Sequence, residues 1–282
     1  MHDQPGLDVP IDSSKAVKIN GFYHIFCVND WKRIVYEQVT SLKKTELYAL
    51  LNKIYVCVIT NKNDDIHYLT DLFPGKFEIV IQSEDPKNYE LPILRYIYEK
   101  SQCEDFLCFY FHTKGVSISE KNRKGGIESW RLLMEYFIFE KYNLAINTLQ
   151  NGYSCYGVFQ RFDAYNYFML QNFNGNNYFA GNFWWTTSKY VATLPDPEPE
   201  VVNDRYRFFA ENWIGFSSEN KPFCAYNSSV DIYHIPIPDV LYKNRKTKIS
   251  DILPILKCYL PHIFGGLRYR LFETIKRKHS KN

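Results

Sequence analysis

Short apolar runs alternate with amphipathic helical patterns through the first half of the chain, and this alternation constrains the fold more than any other feature. The runs are rich in β-branched and aromatic side chains and are bounded by turn residues. Strands of that kind, separated by helices, are typical of a largely parallel sheet flanked by helices, so the sequence predicts an α/β fold. The predicted strands are FYHIFCV (22–28), IYVCVIT (54–60), FEIVIQ (77–82) and DFLCFYF (105–111), and the predicted helices cover about 30–52 and LPILRYIYEKS (91–101).

The second half of the chain has a different character. A long helix is predicted over about 127–149, and after Gly152 the pattern of regular alternation stops. The segments YSCYGVF, FAGNFWW (179–185) and FFAENWIG (208–215) resemble strands and loops around a cleft more than further strand–helix–strand units.

We predict one large domain between two less regular ends. The domain covers 21–245, with halves 21–150 and 151–245; a loose lead-in covers 1–20 and a basic helical tail covers 246–282.

Charge and cysteine content exclude some classes of protein. The formal net charge is only +3, which is too small to argue for a nucleic-acid partner. Seven cysteines form no C-x-x-C pair and several lie in apolar runs, as expected of buried thiols in a reducing compartment. No apolar run is long enough to span a membrane, so we predict a cytoplasmic location.

The tail concentrates positive charge. From residue 257 onward the sequence has seven Lys and Arg residues and a single acid, Glu273. A helix after Gly266 would place Leu267, Leu271 and Ile275 on one side. Such a basic amphipathic helix predicts peripheral attachment to the anionic inner face of the cytoplasmic membrane. The alternative is that the helix packs on the domain or pairs with a second copy in a homodimer.

Six short segments, taken together, resemble a known family. They are HIFCVNDW (24–31), EQV (37–39), FHTKG (111–115), WRLLM (130–134), GNFWW (181–185) and ENWIG (211–215). In this combination, over roughly 20–235, the chain resembles bacterial and viral glycosyltransferases of the GT-A fold, which are found among enzymes that build surface polysaccharides. The resemblance implies a GT-A-like catalytic domain, a nucleoside-diphosphate sugar donor, and a glycan or lipid-linked glycan acceptor.

The FHTKG segment follows a predicted buried strand, which is where ligands bind in an open α/β sheet. Sugar transfer expels a diphosphate, whose charge Lys114 would bind while Gly115 lets the backbone approach. His112 would donate a hydrogen bond or ligate a metal, and Asn29 would lie beside the nucleotide base. The alternative is a structurally satisfied histidine followed by a surface lysine.

The family's metal motif is missing. GT-A enzymes usually carry Asp-x-Asp after this strand, and here the chain has His112-Thr113-Lys114-Gly115. A divalent cation, Mn²⁺ or Mg²⁺, remains an expectation of the resemblance, and the sequence indicates no ligand for it.

The acceptor side is predicted from the last two segments. By the resemblance Glu211 is the catalytic base of an inverting transfer, Asn182 bonds a sugar hydroxyl, and Trp184 and Trp185 offer flat faces for a sugar ring. The alternatives are a capping or salt-bridged Glu211 and a tryptophan pair in the core.

Two other functions share some of these features. A sugar nucleotidyltransferase would need a glycine-rich loop directly after the first strand, and this chain has none there. A noncatalytic carbohydrate-binding protein would account for the tryptophans and asparagines without any role for Lys114 or Glu211.

Overall fold

The structure is a computed structural model that describes residues 17–73, 75–118, 125–162, 177–197, 206–228 and 230–256. The chain divides into two compact units. The larger unit is formed by the described parts of 1–120 and 134–227, and the smaller by those of 121–133 and 228–282. The domain boundaries predicted from the sequence stay predictions.

A seven-stranded, mostly parallel sheet forms the centre of the larger unit. Its strands follow the order β3-β2-β1-β4-β8-β5-β9, and β8 alone runs antiparallel to its neighbours, which are β4 and β5. Two further strands, β6 and β7, pair separately. The strands are β1 (Lys18–Phe26), β2 (Lys53–Ile59), β3 (Phe77–Ser83), β4 (Phe106–His112), β5 (Cys155–Val158), β6 (Gln160–Phe162), β7 (Asn177–Phe179), β8 (Trp184–Thr187) and β9 (Pro222–Tyr226).

Helices flank this sheet, so the α/β fold with a mostly parallel sheet is confirmed. The helices are α1 (Trp31–Lys43), α2 (Glu46–Leu50), α3 (Asn63–Leu72), α4 (Leu91–Ser101), α5 (Gly125–Glu135), α6 (Tyr142–Gln150), α7 (Ser188–Val191), α8 (Tyr206–Asn212) and α9 (249–256). None of the described helices is long and apolar enough to cross a membrane.

Both long helices predicted from the sequence are interrupted. The helix expected over 30–52 stops because Thr45 is extended (ψ 154°) and its hydroxyl donates to the Leu42 carbonyl at 2.7 Å. The helix expected over 127–149 passes through a π-helical turn, Tyr136–Glu140, between α5 and α6. Hydrophobic periodicity continues across both breaks and gave no sign of them.

The segment 208–215 was predicted as strand and loop, and this prediction was wrong. It forms the end of α8 and a 3₁₀ turn, Trp213–Gly215. Ala210, Trp213 and Ile214 are all buried, and their spacing of three and four residues is that of one helix face.

The core lies on both faces of the sheet. On one face α4 packs Leu94 and Ile97 into a cluster with Phe22, Tyr110 and Trp184. The apolar residues of this cluster fix the start of α4 above the ends of the central strands. That placement positions the polar groups described below.

The smaller unit joins the start of α5 to the segment after β9. The Ser129 hydroxyl donates to the Ile237 carbonyl and accepts from the Ile237 amide, both at 2.7 Å. The Trp130 ring lies edge-on to Tyr233, with 5.2 Å between ring centroids.

Close packing in β5 generates a first prediction. A Cβ at Gly157 would lie 2.6 Å from the Phe179 ring, which is buried and cannot withdraw. Gly157→Ala should therefore reduce the free energy of unfolding by about 1–3 kcal/mol, the usual range for overpacking. Urea unfolding followed by tryptophan fluorescence measures this change.

Gly75→Ala is the matched control, because a Cβ there has no atom within 4 Å. It should leave stability unchanged or slightly higher. Equal stability of the two variants would contradict the packing described for β5.

Candidate functional site

The sheet has a topological switch point between β1 and β4. From β1 the chain proceeds through β2 to β3 on one side, and then returns to place β4 on the other side. In open α/β sheets ligands bind in the crevice outside the carboxyl ends of such strands. His24 of β1 and His112 of β4 lie opposite each other near this edge.

The loops that follow β1 and β4 are bound to each other. The Asn29 amide donates to the Val116 carbonyl at 2.5 Å, and the Thr113 hydroxyl accepts from the Phe26 amide at 3.0 Å. Gly115 has φ +87°, a conformation that favours glycine, so the turn itself requires this residue. Asn29, Lys114 and Gly115, the residues predicted to bind the sugar donor, therefore lie together at the switch point.

Glu90, just before α4, forms the centre of the polar cluster at this edge. Its side chain is 18% exposed and its Oε1 lies 3.0 Å from Nδ1 of His112. The other carboxylate oxygen accepts a hydrogen bond from the Asn182 amide. Nε2 of His112 lies 2.9 Å from the Gly181 carbonyl oxygen. Each ring nitrogen of His112 thus faces an acceptor, the Glu90 carboxylate on one side and the Gly181 carbonyl on the other.

The two titratable neighbours of His112, Glu90 and His24, differ in charge state. Burial by itself raises the pKa of Glu90, but the charge and hydrogen bond of His112, aided by Asn182, lower it to about 2. Burial lowers the pKa of His24 to about 4, although the Glu90 charge acts in the other direction. At neutral pH the cluster thus holds an ionised Glu90 beside a neutral His24.

A tight turn between β7 and β8 connects this cluster to α8. Gly181 and Asn182, which we call the Gly-Asn turn, have φ of +91° and +56°. The Asn182 amide also donates to the Ala210 carbonyl at 3.3 Å, and its oxygen accepts from the Trp184 indole at 2.8 Å. Asn182 is 2% exposed and fully bonded, so the expectation that it binds a sugar hydroxyl is wrong.

Glu211 is held by the same turn. Its Oε1 accepts the Gly181 amide hydrogen at 2.9 Å. Among the residues that the structure describes, Oε2 has no hydrogen-bond partner and the carboxylate has no ion pair. Glu211 is only half-buried. One oxygen is thus oriented and the other is available to accept a proton.

The predicted sugar platform is also wrong. Trp184 and Trp185 are both 0% exposed, because successive residues of β8 point to opposite faces of a sheet that is covered on both faces. Trp184 packs on Tyr110, and Trp185 packs on Phe109. Neither ring presents a face to solvent.

The role predicted for His112 requires correction. Both of its ring nitrogens are engaged by protein acceptors, so it has no lone pair for a metal and no N–H for a ligand. Within the described ranges no group of three or more His, Cys, Asp or Glu side chains is arranged to hold a metal ion. Through these two contacts His112 orients Glu90 and the Gly-Asn turn.

Glu90 and His24 were not among the residues predicted to form the site. Glu90 precedes Leu91-Pro92 at a helix start, where Ser, Thr, Asp or Asn is preferred, and its side chain makes no capping bond. His24 interrupts an otherwise apolar strand. Both departures from the expected pattern were visible in the sequence.

Comparisons with known proteins show no family for this chain. No family model matches the chain, and no curated protein matches its sequence. One solved structure, 4-diphosphocytidyl-2C-methyl-D-erythritol synthase from Anaerococcus prevotii DSM 20548, aligns with 87% of this chain and 96% of that chain. The identity is 13% and the TM-score 0.38, and a likeness at this level carries no argument.

Neutral His24 predicts an acid-sensitive fold. Its pKa is about 4 in the folded chain and near 6.5 when unfolded, so the unfolded state binds the extra proton between these values. Stability is therefore lost as the pH falls through this window, by roughly 3 kcal/mol in full. His24→Gln cannot titrate and should flatten the pH dependence of urea unfolding, most clearly above about pH 5 where carboxylates stay ionised.

The exposed His67 provides the control. His67→Gln should keep the pH dependence of the unmodified chain. If His24→Gln also keeps it, then His24 is not neutral in the folded state.

Proposed function

We propose that this protein is a glycosyltransferase that moves a sugar from a nucleoside-diphosphate sugar to a glycan or lipid-linked glycan acceptor in surface polysaccharide synthesis. The observation that carries the proposal is the state of Glu211, whose Oε1 is fixed by the Gly181 amide while Oε2 has no described partner. A general base needs this arrangement, because its orientation must be set without using the oxygen that takes the proton.

In the proposed reaction Glu211 accepts the proton of the acceptor hydroxyl. The acceptor oxygen attacks the anomeric carbon, the bond from that carbon to the diphosphate oxygen breaks, and the nucleoside diphosphate leaves with the bonding electrons. A single displacement of this kind inverts the anomeric carbon. General-base catalysis typically contributes about 10²–10⁴-fold to such a step.

The donor would bind at the switch point, where Asn29, Lys114 and Gly115 lie. The Lys114 ammonium would balance the negative charge that grows on the leaving diphosphate. His112 and Glu90 form an ion pair that is neutral overall, so in this proposal they position the Gly-Asn turn and Lys114 supplies the charge. A divalent cation on the diphosphate would add to that charge.

Two alternative functions would require different groups at this edge of the sheet. A sugar nucleotidyltransferase would cradle a triphosphate in a glycine-rich loop after β1, and the residues there are Cys27-Val28-Asn29-Asp30. A carbohydrate-binding protein would bind sugar with no loss on changing Glu211. In neither alternative does the second oxygen of Glu211 have to accept a proton.

The base role predicts a specific kinetic loss for Glu211→Gln. The donor is first selected by a thermal-shift panel of nucleotide sugars, with and without Mn²⁺ or Mg²⁺. With that donor, slow hydrolysis or transfer should fall at least about a hundredfold in Glu211→Gln, because the proton transfer occurs only in the transition state. Donor affinity measured by calorimetry should stay unchanged.

Glu219→Gln, an exposed position eight residues along the same segment, is the matched control and should keep full turnover. Near-normal turnover of Glu211→Gln would show that the base is elsewhere or that the enzyme retains configuration.

A separate prediction concerns the donor. Lys114→Ala should weaken donor binding by about 1.5–3 kcal/mol, the range for hydrogen bonds to charged groups. Lys43→Ala, an exposed lysine at the far end of α1, should bind the donor normally. Unchanged affinity of Lys114→Ala in calorimetry would remove Lys114 from the site.

A further inference from the structure

Helix α9 of the smaller unit carries an exposed apolar stripe. Ile249, Ile252, Leu253 and Leu256 are 89%, 51%, 62% and 46% exposed. Their spacing of three, four and seven residues places them on one side of the helix. We call these four residues the α9 stripe. A surface helix normally turns such a stripe toward the core.

The polar side of α9 is the side that is anchored. Asp251 is 8% exposed, and its carboxylate accepts two hydrogen bonds from Arg245, at 2.8 and 2.9 Å. It also accepts the Lys248 amide at 2.7 Å, which closes the first turn of the helix. The helix is thus fixed with its carboxylate inward and its apolar residues outward. Contiguous apolar surface held outward in this way marks an interaction site.

The charge beside the stripe is basic. Arg245 binds both Asp239 and Asp251, so its charge compensates one of their two negative charges. Lys246 and Lys248 are exposed directly before the stripe. The sequence that follows α9 is also basic, with seven Lys and Arg residues and one acid from residue 257 onward.

We propose that the α9 stripe docks on a lipid bilayer that contains anionic headgroups. An apolar helix face enters the boundary between headgroups and acyl chains, and flanking lysines bind the anionic headgroups. A second copy of this chain would also cover the stripe, but it would bring its own lysines against these lysines. The stripe differs from the tail helix predicted after Gly266, which lies outside the described residues. The proposal is independent of the glycosyltransferase reaction.

The test is co-sedimentation of the full chain with vesicles of phosphatidylcholine alone or mixed with phosphatidylglycerol. The unmodified chain should bind the mixed vesicles, and added salt should weaken the binding. Ile252→Ser with Leu253→Ser should reduce binding about tenfold or more, since two apolar side chains no longer enter the bilayer. Lys246→Glu with Lys248→Glu should abolish the preference for phosphatidylglycerol.

Leu50→Ser is the control, because Leu50 is 50% exposed on α2 of the other unit. It should bind vesicles normally, and all variants should share one melting temperature. Unreduced binding by the Ile252→Ser, Leu253→Ser variant would overturn the proposal, as would failure of the unmodified chain to bind. Light scattering that shows a dimer broken by these substitutions, without vesicle binding, would assign the stripe to a second copy.

Discussion

The ion pair between Glu90 and His112 is the interaction on which the rest of the site depends. An ionised carboxylate with little exposure is stable only when it is paired and hydrogen-bonded, and Glu90 meets this condition through His112 and Asn182. The pair fixes the Gly181 carbonyl, and the Gly181 amide then orients Glu211. Four hydrogen bonds thus connect the start of α4, the end of β4, the Gly-Asn turn and α8.

The sequence predicted the first half of the fold well, for a physical reason. Strands β1, β2 and β4 contain long buried apolar runs, and helix α4 has one buried apolar face, so their type is decided within the segment itself. The predicted boundaries and types of elements were wrong where a single hydrogen bond or a packing partner decides them. The hydroxyl of Thr45 bonds to the Leu42 carbonyl where the first helix ends. The helical state of 208–215 depends on the burial of Trp213 among residues that are distant in the sequence.

The site was predicted in part, and the errors share one cause. Residue type and order placed His112, Lys114 and Asn29 at the carboxyl edge of the sheet, which is where they lie in the structure. They did not reveal which side chains are exposed, so Trp184 and Asn182 were assigned to a ligand although both are buried. The importance of Glu90 depends on an imidazole 22 positions away, since its role exists only when α4 lies over the end of β4.

The antiparallel strand β8 has a consequence for how the chain is made. β5 reaches β4 only through β8, and β8 follows both strands in the sequence. On the ribosome β1 to β4 can pair as they emerge, but β5 has no neighbour in the sheet until β8 is synthesised. During that interval one side of β4 is an open, apolar sheet edge, which is a site for pairing with another chain. The time taken to translate the chain from β4 to β8 therefore sets how long this edge of each nascent molecule is open to aggregation.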